Sequence, residues 1–142
     1  MEGLNKFLLK KIYVIDFSFG ELNQTLDRLA DLTGGLREIC IMCDKLSMSA
    51  IINIIKVNST LEAVEMMYGN HLSNQEVSKI ISFLARLPYL KMLNIHDTYR
   101  ARPHGRLMIP YDLLLKLREK GVFLIYNYRD SYRWEKMPNA YF

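Results

Sequence analysis

The sequence predicts an α/β fold: a short right-handed solenoid with parallel strands on its concave side and helices on its convex side. Three observations predict it. A phrase with apolar residues at its first, fourth and sixth positions occurs four times, as Ile12-Tyr-Val-Ile15-Asp-Phe17, Leu36-Arg-Glu-Ile39-Cys-Ile41, Leu61-Glu-Ala-Val64-Glu-Met66 and Leu90-Lys-Met-Leu93-Asn-Ile95. The starts at Ile12, Leu36, Leu61 and Leu90 step by 24, 25 and 29 residues, the range of repeat units built from one strand and one helix. Each phrase leads through turn residues into a stretch of helical periodicity. Strands alternating with helices at this pitch imply parallel neighbours joined by right-handed crossovers.

The chain of 142 residues reads as one domain, with an N-terminal cap over 1–11, four to five repeat units over 12–128, and a C-terminal cap or docking tail over 129–142. Leu4, Phe7 and Leu8 give the first segment an apolar helical stripe, and a stacked array needs its end covered. In the first unit Gly20 permits a turn, Leu22, Leu26, Leu29 and Leu32 recur at helical spacing, and Gly34-Gly35 ends that helix. In the second, Ser47 is placed to cap a helix whose inward stripe is Ile51, Ile54 and Ile55, and Asn58-Ser59-Thr60 turns the chain back. In the third, Ser73-Asn-Gln-Glu76 reads as a capping box, in which hydroxyl and carboxylate each satisfy an amide that the first turn leaves open. Val77, Ile80, Ile81 and Leu84 follow, and Pro88 marks the stop. In the fourth, a loop over His96–Ile109 precedes Pro110, read as the first helical residue. Leu113, Leu114 and Leu117 form the stripe, Gly121 ends it, and the β-branched and aromatic content of Val122–Tyr128 gives a fifth strand.

Half the residues are hydrophobic and 24% are charged, an ordinary globular composition that argues against disorder across the chain. The net charge of +4 is mildly basic, and two cysteines make no disulfide framework. No secretory h-region opens the sequence and no apolar run approaches a membrane span. The expectation is a cytoplasmic or nuclear protein in a reducing compartment, with no membrane association.

With these phrases in place, the chain resembles the leucine-rich repeat family over about Ile12 to Tyr128, in particular the strand–helix type of ribonuclease-inhibitor-like proteins and of F-box substrate receptors. The residues after each strand, Gly20 and Leu22, Asp44 and Leu46, Asn70 and Leu72, and Thr98 and Arg100, depart from the family's buried asparagine in most units, so the resemblance is to a short divergent array, without an F-box ahead of it. The resemblance implies partner binding.

If the first, fourth and sixth positions face the core, the third, fifth and seventh face the concave side. That gives Val14, Asp16 and Ser18; Glu38, Cys40 and Met42; Ala63, Glu65 and Met67; and Met92, Asn94 and His96. Asp16, Cys40, Glu65 and Asn94 are expected to form one row, and Met42 and Met67 another with His96 beyond. Polarizable methionines adapt to varied partners, while the carboxylates select basic groups. Two further candidates are the loop 98–106, where Arg100, Arg102 and Arg106 stand with a tyrosine and a histidine that could grip phosphate or an acidic partner, and the aromatic tail around Trp134.

Cys40-Ile-Met-Cys43 begins inside a strand, not at a helix N-terminus, and has no second cysteine pair, which argues against a redox or zinc site. His96-Asp97 lies at a strand's C-terminal end, yet no nucleophile elbow or phosphate-binding glycine loop accompanies it. The resulting expectation is a protein-interaction module, not an enzyme, without cofactor or metal. The alternatives are an RNA-binding module using the basic loop and a small α/β enzyme.

Overall fold

The computed structural model describes residues 10–15, 22–42, 47–68, 72–98, 109–130 and 133–140. Within them the chain is α/β. Five parallel strands, β1 (Lys11–Ile15), β2 (Glu38–Met42), β3 (Ala63–Tyr68), β4 (Met92–Thr98) and β5 (Phe123–Asp130), lie side by side in chain order. Four helices connect them: α1 (Leu22–Leu32), α2 (Met48–Val57), α3 (Asn74–Ala85) and α4 (Tyr111–Glu119). A sixth strand, β6 (Arg133–Ala140), returns antiparallel along β5, with Arg129 opposite Trp134. The predicted cap over 1–11 and the residues Gly20, Cys43, Asp44, Leu46 and Asn70 lie outside the described residues, apart from Lys10 and Lys11.

Each helix packs on the next, α1 on α2, α2 on α3 and α3 on α4, so the helices form one layer over one side of the sheet. The burial pattern agrees. Ile12, Ile39, Ile41, Val64, Met66, Leu93, Ile95 and Leu124 point inward and are almost wholly buried. They meet Leu26 and Ala30 of α1, Ile51, Ile54 and Ile55 of α2, Val77, Ile80, Ile81 and Leu84 of α3, and Leu113 and Leu117 of α4 in one continuous core. Leu32, expected on the inward stripe, is 47% exposed, because Ala30 takes the inward place at the end of α1.

Strand register aligns three of the four phrases. Ile39 pairs with Val64 and Val64 with Leu93, which sets Leu36, Leu61 and Leu90 in line. The first phrase is displaced. Ile12 pairs with Ile39, the fourth position of the next unit, and Val14 pairs with the inward Ile41. Counted from this register, the first phrase starts three residues earlier in the sequence, at Leu9, and its step to Leu36 is 27 residues. Val14 therefore occupies a core register position, not the solvent position expected of it. Tyr13, not Asp16, stands beside Cys40. Asp16 itself lies outside the described residues.

Local signals account for the helix ends. Ser47 accepts from the Ala50 amide, and Ser73 and Glu76 make the reciprocal capping box. Pro110 is the N-cap of α4 and not its first helical residue, so the helix begins one residue later than expected, and the Pro110 carbonyl accepts from Leu113 and Leu114. The far end of α4 is a Schellman turn. Gly121 takes φ +76°, its amide donates to Arg118 and that of Val122 to Leu117. Lys120, in that same turn, donates to the carbonyls of Ala85 (2.6 Å) and Leu87. It thus satisfies the open end of α3 from the following unit, and burial lowers the pKa of its ammonium.

Between α1 and α2 the main polar contact is made by Asn58, which the sequence reading placed only in a turn. Asn58 is fully buried. Its Oδ1 accepts from the Leu36 amide (3.2 Å), and its Nδ2 donates to Thr33 Oγ1 (2.9 Å) and to the Ile54 carbonyl (2.9 Å). The Thr60 hydroxyl donates to the Leu36 carbonyl at 2.8 Å. Buried polar groups persist where they find partners, and here one side chain joins two successive units.

Candidate functional site: the open face of the sheet

The face away from the helix layer is arranged by the strand alternation. Its first row across the strands is Lys11, Glu38, Ala63, Met92 and Phe123, its second Tyr13, Cys40, Glu65, Asn94 and Ile125. In a third row Ile15 pairs with Met42, and Met67 pairs with His96 and His96 with Asn127. Glu38, Glu65, Met42, Met67, Met92, Asn94 and His96 are all partly buried on this face. Lys11, Tyr13, Glu38, Cys40, Ala63, Glu65 and Met92 line a shallow groove across β1 to β4.

One ion pair and one hydrogen bond to a carboxylate shape its electrostatics. Lys11 Nζ lies 3.0 Å from Glu38 Oε2 at the rim and 4.8 Å from the centre of the Tyr13 ring, and these contacts raise the Lys11 pKa. About half-exposed pairs of this kind contribute little to stability. The hydrogen bond lies deeper. His96 Nε2 is 2.7 Å from Glu65 Oε1, one diagonal step across β4 and β3, and the His96 side chain is only 13% exposed. Donation from Nε2 to the carboxylate fixes which ring nitrogen carries hydrogen in the neutral ring.

Cys40 was expected to face solvent. It does lie on the open face, yet only 8% of it is exposed. Tyr13 and Glu65 stand beside it on the neighbouring strands. Burial first, then the Glu65 charge and a hydrogen bond to Glu65, push its thiol up to about 11. It therefore stays protonated near neutral pH, the opposite of what a thiolate nucleophile or metal ligand needs. Among the described residues no group of three or more His, Cys, Asp or Glu side chains is placed to hold a metal ion. Arg100, Arg102 and Arg106 lie outside the described residues. Trp134 lies in β6, at the edge beyond β5, away from the groove.

The face can therefore bind, through adaptable apolar surface with a carboxylate held at its centre. Sequence reasoning placed Glu65, Met67, Asn94 and His96 together but missed Tyr13 and Lys11. Their signal was present in Leu9-Lys-Lys-Ile12-Tyr-Val14, which fits the same phrase as the reading begun at Ile12. No described helix is long and apolar enough to cross a membrane. Comparison with family models, with curated proteins and with solved structures finds no match.

Proposed function

We propose that the chain is a short array of the leucine-rich-repeat type whose open sheet face docks a protein partner, as an adaptor or recognition subunit of a larger intracellular assembly. The observation that carries this reading is the one-sided sheet: helices cover one face, while the other sets Met42, Met67 and Met92 around the Glu65–His96 pair. The alignment of Leu36, Leu61 and Leu90 across three strands supports the repeat reading, and right-handed crossovers follow from parallel neighbours in chain order. A rigid sheet presents side chains at little entropic cost. Methionines accept varied apolar surface, and Glu65 selects a partner with a basic group beside that surface.

The test is capture of partners from the native cell by the wild-type chain and by a Glu65→Lys/Met67→Lys variant, each with and without nuclease. The variant's fold is checked by circular dichroism. Loss of about tenfold or more of nuclease-insensitive capture is the expected result, corresponding to the more than 1 kcal/mol of a residue that dominates an interface. Unchanged capture by the variant refutes docking at this face. Capture that disappears with nuclease moves the reading to RNA.

A further inference from the structure

A second surface, the edge of the sheet at which the parallel strands begin, carries an excess of positive charge. Parallel strands in chain order bring the C-termini of the four helices and the starts of β1 to β5 to the same edge of the sheet. Lys10 and Lys11 open β1, and Arg37 precedes β2. Lys56 ends α2, while Arg86 and Lys91 flank the turn from α3 to β4. Lys116, Arg118 and Lys120 close α4. Against these nine cations the same edge sets four carboxylates, Asp31, Glu38, Glu62 and Glu119. The excess of five exceeds the +4 of the whole chain, so the basic character of this protein is concentrated here.

Helix dipoles attract cations to helix C-termini and explain part of the group. They do not explain Lys10, Arg37 and Lys91, which lie on the strand lead-ins. Those residues lie on one backbone ladder, in which the Arg37 amide donates to Lys10, Glu62 to Arg37, Lys91 to Glu62 and Phe123 to Lys91, at 2.7–2.8 Å, so Lys10 and Arg37 are adjacent while Glu62 stands between Arg37 and Lys91 and pairs with Lys91 at 3.2 Å. Side chains on such a ladder recur about every 4.8 Å. All three cations are exposed. Exposed aromatic rings stand among them. Tyr89 is 60% exposed two residues before Lys91, and Phe123, 49% exposed, ends the ladder at β5. Lys56 and Arg86 both lie over the Phe83 ring, at 5.9 and 5.6 Å.

We propose that this strand-entry edge binds single-stranded nucleic acid. The cations track the phosphates, and Tyr89 and its neighbouring rings stack bases, the combination by which single strands are held without sequence readout. An acidic peptide would use the cations alone and leave the rings without a role.

The purified chain is titrated into a labelled oligouridine strand, followed by fluorescence anisotropy. Neutralising four phosphates of the strand gives a salt slope near −2.8, so affinity falls about fiftyfold between about 50 and about 200 mM salt. Arg37→Ala/Arg86→Ala/Lys91→Ala removes three of these contacts and leaves a loss of about threefold over the same range. Tyr89→Ala weakens binding about tenfold with the slope unchanged. Lys79→Glu, on the exposed side of α3, changes net charge without touching the edge and leaves affinity within about twofold. These residues are exposed, and an unchanged urea transition confirms that each variant folds. Absence of binding at low salt overturns the proposal. So does a Lys79→Glu effect as large as that of the triple variant, or competition by polyglutamate equal to that by unlabelled oligouridine with Tyr89→Ala silent. None of these outcomes depends on whether a protein docks on the open face.

Discussion

Replacing Asn58 with alanine tests whether one buried side chain holds the first two units in register. The substitution removes three hydrogen bonds and strands the Leu36 amide in the interior, since Leu36 is itself fully buried. An orphaned buried donor costs about 1–3 kcal/mol, and each of the two lost bonds from Nδ2 adds about 1 kcal/mol. The sum is about 4 kcal/mol, a large part of the 5–15 kcal/mol that holds a typical domain together. For a chain of this size that lowers Tm by about 10 °C, and with a urea m-value of about 2 kcal/mol/M it moves the urea midpoint by about 2 M. Thermal and urea unfolding, each followed by far-ultraviolet circular dichroism, measure the two shifts. A Thr33→Val variant completes a double-mutant cycle. Because Thr33 Oγ1 accepts from Asn58 Nδ2, the two losses are expected to fall short of additivity by about 1 kcal/mol. A cost below about 1 kcal/mol for Asn58→Ala, or strict additivity with Thr33→Val, refutes the account of Asn58 as a buried tie between units.

The helix cap of Ser73 and the raised thiol of Cys40 give three further predictions. Ser73→Ala removes one half of the capping box on α3 and costs about 1 kcal/mol, read as a Tm lower by about 3 °C, and Ser73→Asp restores most of it. Cys40 in a Cys43→Ser background is alkylated by iodoacetamide at pH 8 about a hundredfold more slowly than an ordinary thiol, because a thiol pushed up to about 11 carries that much less thiolate. Between pH 9 and 11 the unfolded chain has lost the Cys40 proton and the folded chain keeps it. Stability from this group is therefore intact below about pH 9 and falls as pH rises toward 11, and pH-resolved urea unfolding of the Cys40→Ala variant lacks that component.

The parallel α/β arrangement was legible because Leu36, Leu61 and Leu90 each begin the same phrase, and a repeated spacing survives even where individual turns do not. The first unit was misplaced because Leu9-Lys-Lys-Ile12-Tyr-Val14 and Ile12-Tyr-Val-Ile15-Asp-Phe17 satisfy the same pattern, and only pairing with β2 chooses between them. That choice exchanged Asp16 for Tyr13 on the open face. The role of Asn58 was invisible for a different reason. Its partners Leu36 and Thr33 lie 22 and 25 residues away, and no local spacing links them. Local chemistry served better at the ends of helices, where Ser73 and Glu76 act within one turn. The burial of Cys40 depends on residues of β1 and β3 standing beside it, which alternation along a single strand does not report.

The reversal of β6 has a consequence for how such a chain can lengthen. The edge at β5, where a further parallel strand would join, is taken by a strand running the other way. A seventh strand added beyond β6 would meet a neighbour of opposite direction, and a crossover helix suited to the existing layer could not join them as it joins β1 to β5. Extra modules inserted between β1 and β5 keep every junction of the present type. The antiparallel β6 thus closes the β5 edge of the sheet to a further parallel strand.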